Sequence, residues 1–507
     1  MHADLTGGRD GTVLRMASDG VSWQQIVFAG DTDSAVLARA VERGTLRRLA
    51  TGIYTADLTS SPEEVVRRHL WPIVGHAFPG AVLADRSAQA GGMPTDGALY
   101  VVHARRRPVA LPGVTVYPRG GGGPQSGDIP LPDGLWLSST ERAMLDNLAA
   151  GPVSTPRRKL SRAELEAWID RLLRQRGEDW LNLLRDNARA LAPSLRRGTQ
   201  MRQLDGLISA ALTTRSDVEL ASPQLQARSA GLPYDTRRVE AFEELAETLL
   251  DTAPDIMPDL PAYAERRTLL PFYEAYFSNF IEGTEFTLDE AAGIVFDHSV
   301  PDGRPQDAHD VLGTYQIVVD PAEMATVPRS ADGFIELLRS RHAILMSARP
   351  EKNPGVFKTR ANRAGRTEFV APELVTGTLR AGFETGKDLT DPFARAVYLM
   401  FLVAEVHPFD DGNGRISRIM MNAELASAGE VRAIVPIVYR ANYLSALKGA
   451  THNRNFGSLI RTLSFARRYT ARIDFSSRGT AEADLTRTHA FDDAHEAEDA
   501  GVRLTLP

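Results

Sequence analysis

His407-Pro408-Phe409-Asp410-Asp411-Gly412-Asn413-Gly414-Arg415-Ile416-Ser417-Arg418 decides how this chain is read. A helix is expected before it. Asp391 can cap that helix, Pro392 suits its first turn, and Ala394 to Val406 is apolar nearly all round, so the helix should be buried. Pro408 disfavours helical angles at His407, which ends the run and leaves the imidazole at the rim of a loop. Gly412 and Gly414 let the backbone approach a ligand closely. A second helix is expected from Gly414 or Arg415 to Leu425, and its free amides and positive dipole end suit phosphate. Arg415 and Arg418, three apart, share one face, where their planar forks could clamp more phosphate oxygens. Asp411 offers the hard oxygen ligand that Mg2+ takes beside substrate phosphates. His407 could then remove a proton from a hydroxyl nucleophile.

No Gly-x-x-x-x-Gly-Lys-Ser/Thr loop occurs in the chain; Gly382 to Asp388 is the nearest approach and fails on spacing and on its last residue. The quoted stretch instead matches His-x-Phe-x-Asp/Glu-Gly-Asn-Gly-Arg-x-x-Arg and resembles the Fic family of protein adenylyltransferases. That resemblance implies that His407 is the general base for a Ser, Thr or Tyr hydroxyl of a target protein attacking the α-phosphate of ATP. It implies that Asp411 binds Mg2+, that Gly412, Asn413 and Gly414 cradle phosphates, and that Arg415 and Arg418 hold the outer ones. Phe409 would be a core anchor. AMP would stay on the target and pyrophosphate would leave.

Leu269, Tyr273, Tyr276 and Phe280 recur at helical spacing, so Thr268 to Ile281 reads as an amphipathic helix ending near Glu282-Gly283. Ser278-Asn279-Phe280-Ile281-Glu282-Gly283 resembles the inhibitory motif of the same family, Ser/Thr-x-x-x-Glu-Gly/Asn. The resemblance implies that Glu282 pairs with Arg418, and an arginine so neutralised cannot also hold a γ-phosphate. Between the two segments, Phe357 to Val370 reads as a hairpin. In the family a flap at this place takes the target backbone as an added strand. Arg341-His342 is read as structural, and Tyr443 as a core aromatic or a wall of an adenine site.

The 507 residues allow two to four domains, and 43% hydrophobic residues is the composition of a soluble globular protein. No apolar run is long enough for a membrane span. Zero cysteines exclude disulfides and thiolate metal sites, and because Met1 to Asp10 carries no signal-peptide pattern and the implied chemistry needs ATP, a cytoplasmic location is expected. The net charge of −7 is uneven. Residues 1–202 hold 26 basic and 21 acidic side chains, and the remaining 32 basic and 44 acidic ones make the rest strongly negative. Such asymmetry hints at a polyanion partner for the front part.

Val21 to Gly30 and Asp33 to Arg43 read as two short helices, and Thr45 to Tyr54 as a basic hairpin. Together they describe a winged helix-turn-helix, with Arg39 and Arg43 towards the groove and Arg47 and Arg48 near the wing, against the phosphates of double-stranded DNA. Arg43 to Tyr54 and Leu83 to Ala88, followed by the β-like Ala98 to Tyr117 and the helical Ser138 to Leu148, resemble the N-terminal region of AbiEi-type antitoxin regulators.

The expected architecture is mainly α: an all-helical Fic core with a β-hairpin flap, preceded by an α+β winged helix-turn-helix region. The expected parts are a winged helix at 1–60, an AbiEi-like α+β domain at 61–155, a helical linker at 156–204, the Fic domain at 205–475 and a disordered acidic tail at 476–507. The expected function is an autoinhibited adenylyltransferase using ATP and Mg2+. The alternatives are a DNA-binding regulator whose Fic domain senses nucleotide, or a Fic-type enzyme that removes AMP. A homodimer stays an open option.

Overall fold

A computed structural model describes residues 23–149, 155–215 and 217–507. The chain divides into two compact units, 1–226 and 227–507.

In the first unit, Asp33 caps helix Ser34–Glu42 by accepting from the amides of Ala35 and Val36. Strands Ile26–Phe28, Ile53–Thr55 and Arg47–Ala50 form an antiparallel sheet with Ile53–Thr55 in the centre. The hairpin is as expected, but Ile26–Phe28 is a strand where a helix over Val21 to Gly30 was expected. Val21 and Ser22 lie outside the described residues. A short apolar run fits either element, and here pairing with Ile53–Thr55 decides it. A six-stranded mixed sheet follows, built around Ala98–Val102, which is buried throughout. Residues 156–204 are no linker. Helices Arg162–Arg176, Glu178–Leu195 and Gly198–Ala211 bury Leu165, Ile169, Leu184 and Leu207 in one apolar cluster with Met144 and Leu145. Gly198–Ala211 packs in that cluster, so the boundary between units lies at 226/227 rather than 204/205.

The second unit is helical apart from a two-stranded hairpin and is arranged round helix Pro392–Val406. Asp391 caps it through the Ala394 amide at 2.8 Å, Pro392 opens it, and every residue from Ala396 to Val406 is buried. Its main neighbour is helix Asn413–Ser427, and helices Thr236–Leu250, Ala331–Leu345, Val375–Thr385 and Phe456–Arg472 close the core. Helix Leu270–Ile281 is buried on almost every side rather than amphipathic, because its aromatic residues face a second apolar cluster as well. Arg363–Ala364 and Thr367–Glu368 pair as the expected hairpin, turned at Gly365 with φ of +58°. The C-terminal stretch is not a disordered tail. Ser477 caps helix Arg478–Arg487, Asp493 caps helix Ala494–Asp499, and Ala481, Leu485, Ala490 and Ala497 are buried.

Among the described residues no helix is long and apolar enough to cross a membrane.

Candidate active site

Pro408 forces the break the sequence anticipates. His407 ends helix Pro392–Val406 in the left-handed region, at φ 51° and ψ 59°, and its amide still bonds the Val403 carbonyl at 2.9 Å. A non-glycine residue held there costs energy, and the surroundings over-determine it. Lys358 Nζ donates to the His407 carbonyl at 2.8 Å and to Asn362 Oδ1 at 2.6 Å. Asn362 Nδ2 in turn donates to the Phe409 carbonyl at 2.9 Å.

Helix Asn413–Ser427 begins one residue before the expected Gly414, and Asn413 closes the loop on itself. Its Oδ1 accepts the Phe409 amide and its Nδ2 donates to the Phe409 carbonyl, both at 2.9 Å. That side chain is therefore committed inward, and only the Asn413 amide is left to face a phosphate. The amides of Asn413, Gly414 and Arg415 open the helix and have no acceptor within it. Gly412 sits at φ +73°, and a Cβ there would come within 2.9 Å of Met346 Sδ. Phe409 is fully buried, as a core anchor should be.

His342, read from the sequence as structural, supports the loop from beneath. Its ring stacks on Phe409 with centroids 3.6 Å apart and planes within 2°. The Gly355 amide donates to Nδ1 at 2.9 Å, so the ring proton sits on Nε2, which donates to the Asp411 carbonyl at 3.0 Å. His342→Ala would strip both bonds and leave a hole under Phe409. It is expected to cost about 2–4 kcal/mol in denaturant unfolding, beyond what an exposed histidine would cost.

His407 is the candidate base. Its Nδ1 lies 3.3 Å from the Ala404 carbonyl, which can only accept, so Nδ1 holds the proton and Nε2 keeps a lone pair. Phe369 from the hairpin stacks on the ring at 3.7 Å and 6°. Burial pushes its pKa down to about 4 against the opposing hydrogen bond to the Ala404 carbonyl, Lys358 adds to the drop, and the charges of Glu282 and Asp411 pull the other way. Burial likewise lowers His342 to about 4. Both rings are thus neutral near neutral pH, the state a base requires. The consequence for stability has a definite sign. A histidine whose folded pKa lies below its unfolded value stabilises the fold above about pH 6.5 and loses that contribution as the pH falls towards 4. Denaturant midpoints should therefore fall from pH 6.5 to pH 4, and His342→Gln should flatten that slope.

Both motif arginines are held by acids. Arg415 Nη1 pairs with buried Asp310 at 2.7 Å and reaches Asn279 Oδ1 at 3.4 Å. Arg349 grips the same Asp310 through Nε at 3.0 Å. Arg418 Nε donates to Ser278 Oγ at 3.0 Å, and its Nη2 to the Ser278 carbonyl and to Glu282 Oε1, both at 2.8 Å. Glu282 follows the last turn of helix Leu270–Ile281, which Gly283 ends at φ +87°. Its carboxylate lies against Gly414: a Cβ there would be 2.1 Å from Glu282 Oε1. It occupies the first turn of helix Asn413–Ser427, where an anion is favoured. Tyr443 is a core residue, 1% exposed.

Asp411 differs from the two arginines in having a side chain that is 41% exposed. One oxygen accepts the Gly412 amide at 2.6 Å, and the other is open. That suits Mg2+, which keeps most of its waters and needs only one or two carboxylates beside substrate phosphates. Among the described residues no group of three or more acidic, histidine or cysteine side chains forms a closed metal cage.

The four arginines expected to face DNA make local bonds, though Arg39, Arg43 and Arg48 are exposed. Arg47 donates to the carbonyls of Asp57 and Ser60 at 2.9 and 2.7 Å, and so does not stand out towards phosphates as expected. Arg39 and Arg43 reach back to the carbonyls of Ala35 and Arg39, and Arg48 bonds the Ala50 carbonyl and Thr51 Oγ1.

Residues 334–425 match the family model described as "Fic/DOC family". The chain is 28% identical over 318 residues to a protein adenylyltransferase Fic of Nematostella vectensis, covering 59% of this chain and 70% of that one. It is 27% identical over 194 residues to protein adenylyltransferase fic-1 of Caenorhabditis elegans, covering 37% of each. A Fic-domain signalling protein of Bacteroides thetaiotaomicron of known structure aligns over 48% of this chain and 97% of its own at 17% identity, with a TM-score of 0.35, too low to carry more. Across most of these curated relatives the chain spans less than two thirds of their length. The matched segment holds the loop, helix Pro392–Val406 before it and all but the last two residues of helix Asn413–Ser427.

Proposed function

We propose that the protein is an adenylyltransferase that moves AMP from ATP to a hydroxyl side chain of a target protein and is held back by its own Glu282. The observation that carries this is one carboxylate in two roles: Glu282 pairs with Arg418 at 2.8 Å and covers the amide end of helix Asn413–Ser427 at Gly414. The relatives' printed activity supports the chemistry. In the released state the amides of Asn413, Gly414 and Arg415 orient the phosphates, and Arg418 takes the γ-phosphate. His407 Nε2 removes the proton from the target hydroxyl as its oxygen bonds to the α-phosphorus. The bond from that phosphorus to the bridging oxygen breaks, and pyrophosphate leaves. Mg2+ at Asp411 would neutralise phosphate charge. The stack of Phe369 on His407 and the Ala404 carbonyl hold the ring so that Nε2 is the basic atom.

The test is pyrophosphate release by wild type and Glu282→Gly in a cell lysate with added Mg-ATP. Release by Glu282→Gly well above wild type supports the reading; equal release by both refutes inhibition by Glu282. Removal of AMP, with Glu282 orienting water, predicts the opposite sign, because that activity dies with the carboxylate. The contacts of the N-terminal arginines add nothing to a DNA-binding reading.

A further inference from the structure

Glu282 can hold Arg418 only while helix Leu270–Ile281 stays in place, and the chain's C-terminal stretch grips that helix at both ends. At the start, the Leu269 amide bonds the Phe475 carbonyl and the Phe475 amide bonds the Arg266 carbonyl, both at 2.9 Å. The Phe475 ring lies 5.5 Å from that of Tyr273. Nearer Glu282, Phe491 stacks on Phe277 at 5.8 Å and meets Tyr276 at 6.3 Å. The residue before it, Ala490, accepts the Ile437 amide at 2.9 Å. Three residues past Ile437, Arg440 Nε caps the helix end by donating to the Ile281 carbonyl at 2.9 Å, one residue before Glu282. The stretch from Ala490 thus touches the inhibitory helix directly and the residue that caps it through one short segment.

Beyond Phe491 the grip loosens. A cleft of about 660 Å³, lined by Tyr439, Asn442, Ser445, Glu498, Arg503 and Leu504, separates helix Ala494–Asp499 from the helix that Arg440 begins. Of helix Ala494–Asp499 only Ala497 is buried. An element anchored by Phe491, Ala490 and Leu504 and by a few backbone bonds, with space behind it, opens at lower cost than the helices of the core.

We infer that residues 489–507 are a releasable brace on the inhibitory helix, so that lifting them frees Arg418 and raises transfer. This rests on the reading of Glu282 given above. The bistable element is the end of helix Leu270–Ile281. The brace biases it towards the inhibited state by contacts that exist only when Phe491 is seated.

Phe491→Ala in the full chain tests this, with two readouts. The first is label from ATP carrying the isotope on its α-phosphate, retained on protein in lysate. The second is hydrogen exchange of the amides of 276–283. Phe491→Ala should raise labelling about two- to tenfold over wild type, the factor carried by loss of aromatic contacts of this kind. It should speed exchange at 276–283 and add nothing when Glu282 is already glycine. Phe491→Leu, which keeps an apolar side chain on Phe277, should stay close to wild type in both readouts and guards against a folding defect. Unchanged exchange overturns the brace whatever the activity. Faster exchange without more labelling, while Glu282→Gly is active, overturns its regulatory role. If Glu282→Gly is itself silent, the reading of Glu282 fails, and the regulatory role built on it falls too.

Discussion

Glu282→Gly is expected to raise AMP transfer about tenfold to a hundredfold. The estimate follows from what the carboxylate does in place. It neutralises a guanidinium that is 6% exposed in its side chain, at 2.8 Å, and a hydrogen bond between charged groups of this kind contributes about 1.5–3 kcal/mol. Removing the carboxylate returns that free energy to whatever anion takes its place, which in the proposed function is the γ-phosphate. The gain should show both as a lower KM for ATP and as a higher kcat, because Arg418 orients the phosphates as well as attracting them. Ser278 would still hold Arg418 through its hydroxyl and carbonyl, so the guanidinium should stay in place when Glu282 is gone. Steady-state kinetics on the two forms, at several ATP concentrations, check the prediction.

His407→Ala in the Glu282→Gly background should lower kcat roughly 10²- to 10⁴-fold, the share of a positioned general base. The KM for ATP should move little, since in the proposed mechanism the ring acts on the target hydroxyl and the phosphates are held by other groups. His407 is only half-buried, and its loss should not unfold the protein: Lys358 and Asn362 fix the turn through the His407 and Phe409 carbonyls, which alanine keeps. A matched melting temperature with the lost rate would separate chemistry from folding. With a pKa near 4 for the base, the rate above pH 6 should show no rising limb from His407.

Local chemistry explains which parts could be read from the sequence. Asp391, Pro392 and Pro408 fix where the central helix begins and ends, and each acts on its nearest neighbours. The Glu282–Arg418 pair was legible only through resemblance, because 136 residues separate its members. Asp310, Arg349 and Asn279 could not be assigned to Arg415 at all. Each is an ordinary polar residue on a helix or loop, and only packing brings Asp310 and Asn279 to the guanidinium and Arg349 to Asp310. His342 reads as structural, and its geometry bears this out, but its hold on the Asp411 carbonyl depends on a contact 69 residues away. The C-terminal stretch misled because its apolar residues are sparse. Phe491, Ala490 and Leu485 suffice once an aromatic helix face is there to receive them. Ile26 to Phe28 misled because three apolar residues in a row carry no period of their own.

The central claim is that this domain transfers the α-phosphoryl group of ATP with its adenosine, under restraint by Glu282. Its most direct test is to give Glu282→Gly, in lysate with Mg2+, ATP labelled either on the α-phosphate or on the γ-phosphate, beside wild type. The account predicts protein-bound label from the α-position, none from the γ-position, and weak labelling by wild type. Label from the γ-position alone, or equal α-labelling by wild type and Glu282→Gly, would contradict it.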